Sequence, residues 1–361
     1  MEKSIILIVT ILLYTTLSAQ EKNFEAKANQ LIEQSIDEKE SVGISAGFSI
    51  EGKIKWIGAS GKSDIDKKQP FGISTKTRIA SISKPMTAIA IMQLYEQGKL
   101  SLNDTIQTYL PTFPQKKEGI ITVKQLLEHS AGISSYKNTK EQENTTNYPT
   151  LDDAISIFKD RDLIANPGEE FNYTTYGYVL LGAIIEKVSG MTYENYMQAN
   201  IWVKAGMTNT GIEYQSKSVT NMTNIYSKNS RGKLKEVKRT NLSDRIPGGG
   251  IYSTVTDMLK FGDAVLNNTF IKNSTFEMML ENPNLKTEGN GYGLGWYLYG
   301  INPNYGNVVG HNGTQTGAST FLMLLPEKQT VIVVLSNTSG AIQTVSDITI
   351  KLFDIANEAR K

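Results

Sequence analysis

Between Phe24 and Lys39, Ala28, Leu31 and Ile32 fall on one side and charged residues on the other, the stripe of an amphipathic helix. The period then changes. Ile44, Ala46, Phe48 and Ile50 alternate with smaller residues, Glu51-Gly52 supplies a turn, and Ile54, Trp56 and Gly58 open a second alternating run, which predicts a β-hairpin. From Ser81 to Ile185 the spacing is mainly helical. Helices are expected from Ser81 to Leu94, Thr122 to His129, Leu151 to Lys159 and Tyr176 to Val188, joined by segments that carry Pro111, Pro114, Pro149 and Pro167. Thr192 to Ala199 and Val255 to Leu266 read as further helices, with an Asn- and Lys-rich stretch between them. Strands return at Tyr292 to Tyr299, Asn307 to His311, Thr320 to Leu325 and Thr330 to Ser336, and Gln343 to Glu358 closes the chain as a helix.

Strands at both ends with helices between them predict an α+β fold: one antiparallel sheet built from N- and C-terminal pieces, flanked by terminal helices, with a mainly helical lobe inserted. The sheet lobe is expected over about 20–80 and 286–361 and the helical lobe over about 81–285, with a cleft between them for a small molecule. Residues 20–361 thus read as a single catalytic domain. Residues 1–19 carry Glu2 and Lys3, an apolar run from Ile5 to Leu13 and then Leu-Ser-Ala, the pattern of a secretory signal peptide. Its apolar run falls short of the roughly 20 residues a bilayer span needs, so cleavage is favoured over retention as an anchor, which stays open, and the mature chain is expected outside the cytoplasm, periplasmic or secreted, without a stable membrane span.

Composition narrows the chemistry. The 361 residues contain no cysteine, which removes disulfides and thiol nucleophiles. Thirty-seven basic and 36 acidic residues leave a formal charge of +1, no field for steering toward nucleic acid. The basic segment from Lys228 to Arg239 reads as a solvated loop in preference to a site for an acidic polymer. With two histidines, His129 and His311, a zinc site is not expected, an all-carboxylate metal site is left open, and no cofactor is called for.

Ser81 and Lys84 stand three apart at a helix start, so both side chains project from one face and the amine can approach the hydroxyl. The same S-x-x-K spacing occurs at Ser134/Lys137, Ser156/Lys159 and Ser230/Lys233, but only Ser81 precedes a long run of good helix formers. The plainer alternative makes Ser81 an N-cap and Lys84 a solvated first-turn residue. A lysine fits that position badly, at the positive end of the helix dipole. Tyr173, in the run Pro167 to Tyr178, is a candidate acid/base: a phenol beside an ammonium is stabilised as phenolate, which lowers its pKa. Its alternative is a half-buried packing tyrosine. Gly310-His311-Asn312-Gly313-Thr314 offers glycines that bring backbone close to a ligand and an N–H that can face an oxyanion, or else a hairpin turn at Asn312-Gly313. Gly248-Gly249-Gly250 reads as a loop forced close to something ahead of a helix capped by Thr254 or Ser253. Two further matches are weak. Gly43-Ile44-Ser45-Ala46-Gly47 has the G-x-S-x-G form of a nucleophile elbow but lies inside an alternating run. Ser243-Asp244 begins like S-D-N, with Arg245 where Asn belongs.

Ser81-Ile82-Ser83-Lys84, Leu126-Leu127-Glu128-His129-Ser130-Ala131-Gly132, Pro167-Gly168 to Tyr173, the Gly248 loop, Tyr292-Gly293-Leu294-Gly295-Trp296 and His311-Asn312-Gly313 come in an order that resembles the class C β-lactamase-like serine hydrolases. That family also holds D-stereospecific peptidases, esterases and penicillin-binding proteins. The resemblance covers roughly residues 40 to 340. It implies a β-lactamase/transpeptidase-like fold and an acyl-enzyme on Ser81, with Lys84 as ammonium partner and Tyr173 as general base of the family's Y-x-N. It also implies an oxyanion hole from the backbone N–H groups of Ser81 and Thr314, and substrate contacts from Thr175, His311, Asn312 and Gly313. Two departures stand out: Thr175 replaces the Asn of Y-x-N, and His311 replaces the lysine of K-[T/S]-G. A peptide, D-amino-acid derivative or ester is therefore favoured over efficient β-lactam hydrolysis. The alternative is a penicillin-binding-type sensor that acylates without turnover or does not react. Substrate and oligomeric state stay open.

Overall fold

A computed structural model describes residues 23–286 and 291–360; the expected signal peptide at 1–19 lies outside them. The first helix, α1, covers residues 23–37. Strands β1 (Gly43–Ile50) and β2 (Lys53–Asp64) form the expected hairpin. Glu51 and Gly52 both take positive φ, 52° and 72°, the turn geometry that matches the twist of paired strands. A short β3 (Gln69–Pro70) follows. The helices α2 (Ser83–Glu96), α3 (Thr175–Ser189) and α4 (Val255–Leu266) come next, then β4 (Tyr297–Asn302), β5 (Gly306–Gln315), β6 (Ala318–Leu325), β7 (Thr330–Ser336) and α5 (Ile342–Glu358).

The seven strands make one sheet in the order β3-β2-β1-β7-β6-β5-β4, with every neighbour antiparallel. The first and last long strands meet at its centre, where Ile44 pairs with Ser336 and Ile50 with Thr330. One face carries Ile44, Ala46, Phe48 and Ile50 with Ile332 and Val334, packed under Phe24, Ala28 and Ile32 of α1 and Val345, Ile348 and Leu352 of α5. The other face is built for close approach. A Cβ on Gly47 would lie 3.0 Å from Leu259 Cδ1, and one on Gly262 would lie 2.4 Å from Val331 Cγ1, so small residues on both partners let α4 seat on the sheet. Ser49 Oγ donates to Asp263 Oδ1 across the same contact at 2.6 Å. The sequence assigns α4 to the helical lobe; in the fold it covers the sheet.

The helical side has α2 at its middle. This helix is buried from Ser83 to Leu94 with no polar face, as a helix enclosed by protein on all sides must be. Its N-terminus therefore opens on whatever space the packing leaves. A small sheet of Thr77–Arg78, Ile251–Ser253 and Gly211–Ile212 leads into it. The segment 292–296, expected as strand, is instead a turn: a Cβ on Gly293 would lie 2.1 Å from Met279 O, and one on Gly295 (φ 90°) 2.4 Å from Ala88 Cβ. Gly295 lets the chain lie against α2, and Gly293 lets it lie against the end of the helix Asn273–Met279. Ser45 of the G-x-S-x-G match is buried mid-strand and faces no turn, which removes the elbow reading.

Candidate active site

Ser81 lies in a one-turn 3₁₀ segment, Ala80–Ile82, immediately before α2. It is not the cap of α2; that place falls to Ile82, which has no side-chain capping bond. Ala80 holds φ at 50°, a conformation that costs a non-glycine residue about 1 kcal/mol or more and needs restraint from its surroundings. The restraint is visible. Ser83 Oγ donates to Ala80 O at 2.7 Å, and Thr320 Oγ1 of β6 donates to Ile79 O at 3.0 Å. Arg78, fully buried, binds both Glu213 oxygens (2.9 and 2.7 Å) and donates to Thr316 O at 2.8 Å, linking this turn to the β5–β6 turn.

Lys84, one helical turn on, is also fully buried. Its Nζ lies 3.0 Å from Ser81 Oγ, 2.9 Å from Gly248 O and 3.4 Å from Thr175 Oγ1. Gly248 reaches this place because it has no side chain: a Cβ there would lie 2.7 Å from Thr175 Cγ2. The Gly248 loop is thus pressed against Lys84, and Thr254 caps the helix after it, accepting from Asp257 N–H. Burial, reinforced by the Arg245 charge, pushes the Lys84 amine well below its ordinary range.

Tyr173 stacks beside the same amine, with Lys84 Nζ 4.7 Å from its ring centre. The sequence argument lowers the pKa of this phenol. In the fold it moves the other way: crowding by protein and by Tyr297 pushes it well above its usual value, against a hydrogen bond with Ser81 that pulls it down. Both groups are therefore shifted away from the charges that the sequence argument gave them.

His311 also departs from expectation. The hairpin turn is not at Asn312-Gly313; β5 runs on to Gln315 and turns at Gly317 (φ 75°). His311 thereby points behind the strand, fully buried, with Nε2 3.1 Å from the Tyr292 hydroxyl and Nδ1 2.5 Å from Asn312 O. Burial above all lowers its pKa to about 3, so it stays neutral, and it is not among the residues that line the cavity described below. Gly313 does not face the substrate space either. A Cβ there would lie 2.4 Å from Thr320 Oγ1, 2.7 Å from Ile79 O and 3.0 Å from Ala80 Cβ, so this glycine lets β5 touch the Ser81 turn.

A cavity of about 490 Å³ opens over these groups. Ser81, Tyr173, Thr175, Asn312 and Thr314 line it together with residues the sequence did not assign to the site: Tyr136, Gln142, Arg245, Gly249 and Gln315. Arg245 was visible only as a defect in S-D-N; its Nε and Nη2 bind Asp244 at 2.7 and 2.9 Å.

A seven-stranded antiparallel sheet, and a serine and buried amine at the head of an enclosed helix, define the serine hydrolases of the β-lactamase and transpeptidase kind. The family model described as Beta-lactamase matches residues 28–356, and the chain belongs to that family. Relatives include the human mitochondrial serine beta-lactamase-like protein LACTB, 28% identical over 393 aligned positions that cover 83% of this chain and 72% of the human protein. Penicillin-binding protein 4* of Bacillus subtilis is 28% identical over 88% of this chain and 72% of its own. Among solved structures, the octameric penicillin-binding protein homologue from Pyrococcus abyssi superposes with a TM-score of 0.79 at 27% identity, covering 92% of this chain and 77% of that one.

Proposed function

We propose that this serine hydrolase cleaves an amide or ester bond through an acyl-enzyme on Ser81, with Lys84 as the base that takes the serine proton. The observation that carries the reading is the 3.0 Å approach of a buried Lys84 Nζ to Ser81 Oγ inside the cavity. A neutral amine has two N–H groups and one lone pair. Gly248 O can only accept, and Thr175 Oγ1 is free to accept, so the two N–H groups go there and the lone pair meets the Ser81 hydroxyl.

Ser81 Oγ attacks the carbonyl carbon as its proton passes to Lys84. Negative charge gathers on the carbonyl oxygen, opposite the backbone N–H groups of Ser81 and Thr314. The tetrahedral carbon then expels the leaving group, which receives the proton from Lys84 by way of the neutral Tyr173 hydroxyl. Water attacks the ester so formed, gives its proton along the same path, and releases the acid with Ser81 restored. Asn312 and Thr175 border the acyl group. We assign the protein to the space outside the cytoplasm on the pattern of residues 1–19; fractionation that leaves full-length chain in the cytoplasm would remove that assignment.

Treatment with a fluorophosphonate followed by peptide mass spectrometry tests the reading. The adduct is expected on Ser81, and Ser81→Ala should abolish both labelling and turnover, a loss of roughly 10³ or more. An adduct elsewhere would overturn it. The 3.4 Å reach from Lys84 to Thr175 favours a second reading in which acylation outruns release; an adduct from a carboxylic ester that persists for hours is its signature.

A further inference from the structure

The cavity is unusual in what it lacks. Among the described residues no aliphatic side chain lines it; serine, threonine, asparagine and glutamine groups stand with three tyrosine rings, and Arg245 is the one charged lining residue. A wall of this kind offers an alkyl chain little to be buried against, and it offers many partners to a polar one.

One part of the wall is unfinished. Gln315 lines the cavity from the end of β5, and its Nε2 is buried without a hydrogen-bond partner among the described residues. An orphaned buried donor is costly, so such a group in a binding cavity points to a partner that arrives with the ligand. Gly249 lies beside it. A Cβ on Gly249 would sit 3.5 Å from Gln315 Oε1 and 3.9 Å from Arg245 Cδ, so the missing side chain leaves a notch between Gln315 and Arg245. Arg245 spends Nε and Nη2 on Asp244, and Nη2 also donates to Gln142 O at 2.5 Å; Nη1 makes none of these bonds.

We infer that the notch over Gly249 is a specificity subsite in which the side-chain amide of Gln315 hydrogen-bonds an amide in the acyl portion of the substrate, so that acyl groups bearing an amide are preferred over alkyl acyl groups of equal length. Gln315 is a specificity-determining residue on this account, and Gly249 the position that keeps its subsite open. The inference rests on the assignment of Ser81 as nucleophile, because the acyl portion is defined by attachment there.

The test compares 4-nitrophenyl N-acetylglycinate with 4-nitrophenyl pentanoate, two esters with acyl chains of the same length of which only the first carries an internal amide. The quantity read is the ratio of their kcat/KM values in wild type, Gln315→Met and Gly249→Ala. Comparing ratios between proteins cancels the intrinsic reactivity of each ester. Gln315→Met should lower the ratio by about tenfold, the loss that accompanies one hydrogen bond to a buried donor. Gly249→Ala, whose added methyl meets its neighbours at ordinary contact distance, should lower it in the same direction by filling the notch. A ratio within twofold of wild type in both variants, or an equal fall for both esters, overturns the subsite. Failure of fluorophosphonate to label Ser81 in the wild type would instead overturn the reading of the site itself, so the two outcomes are distinguishable.

Discussion

The Lys84 amine donates to the Gly248 carbonyl over 2.9 Å, and this bond decides where the remaining valences of the amine point. A carbonyl cannot give a proton back, so it fixes one N–H and turns the lone pair toward Ser81. A buried amine should therefore leave two marks. Activity requires the neutral form, and kcat/KM should fall as pH drops through the lowered pKa of Lys84. Between that pKa and the ordinary value of about 10.4, the unfolded chain holds a proton that the folded chain has lost. Stability should therefore rise with pH across that window. Lys84→Met should remove this slope and cost roughly 10² or more in kcat. Urea midpoints at pH 7 and pH 9 that change in parallel for the two proteins would show that Lys84 is charged in the fold.

Tyr173 is expected to act as a neutral hydroxyl. Tyr173→Phe keeps the ring beside Lys84 and loses only the proton path, so kcat should fall by about 10² with little change in the melting temperature. Because burial holds the phenol well above its usual pKa, no basic limb from Tyr173 should appear below about pH 9. Wild-type turnover by the phenylalanine variant would remove Tyr173 from the reaction.

His311 should not sense pH in the range where an exposed histidine does. With its pKa lowered to about 3, it is neutral throughout pH 5.5 to 8, and the relative rates of a carboxylate-bearing and a neutral ester should stay flat over that interval. Its effect lies in stability. Between pH 6.5 and about 3 the unfolded chain takes up a proton that folded His311 refuses, so stability is lost as pH falls through that window. His311→Gln should flatten the acid side of a urea-midpoint profile between pH 6.5 and 4; a steep slope left unchanged would place the proton elsewhere.

Gly313→Ala should separate β5 from the Ser81 turn that it needs to touch. The added carbon would meet Ile79 O at 2.7 Å and Thr320 Oγ1 at 2.4 Å, so β5 has to retreat from the Ser81 turn. Loss of roughly 1–3 kcal/mol is expected from the crowding. The fall in fluorophosphonate labelling, about tenfold or more, should exceed anything the few unfolded molecules explain. Normal labelling would show that the turn keeps its shape without β5.

Arg78→Met should be the most damaging of these changes to the fold. It leaves Glu213 buried with Arg239, at 2.9 Å, as its remaining cation among the described residues, and frees Thr316 O. A buried pair broken on one side costs about 3–5 kcal/mol. The double variant Arg78→Met/Glu213→Gln should recover part of that loss; no recovery would mean that Arg78 acts through packing alone.

Much of this architecture could be read along the chain, and the reasons for the exceptions are physical. β1 and β7 are buried on both faces, but β1 was legible because large apolar residues alternate with small ones, β7 as a short apolar run, and α4 because its apolar residues recur at helical spacing. Ser81 and Lys84 were legible because an i, i+3 pair is a local fact. Asn312-Gly313 misled because glycine in a hairpin pattern has two uses, and here it serves contact with Ala80, which comes from a distant part of the chain. His311 and Tyr173 misled because a pKa depends on burial and on neighbours in space: Lys84, beside His311, and Tyr297, beside Tyr173, are remote from them in sequence. Arg245 looked like a broken motif because its ion pair with the adjacent Asp244 and its place in the cavity wall are set by the fold.

The central pairing of β1 with β7 joins residues roughly 290 apart, and the Ser81 turn is held by Thr320 and Thr316, also near the end of the chain. Contacts of such range form late. During synthesis Ser81, Lys84 and Tyr173 all emerge long before the strands that shape their turn. Until those strands arrive, the contacts that shape the Ser81 turn are missing from the chain. A chain halted before Thr330 keeps the β1–β2 hairpin but lacks the strand that joins it to β6, so the sheet closes only when the last strand slides into its middle.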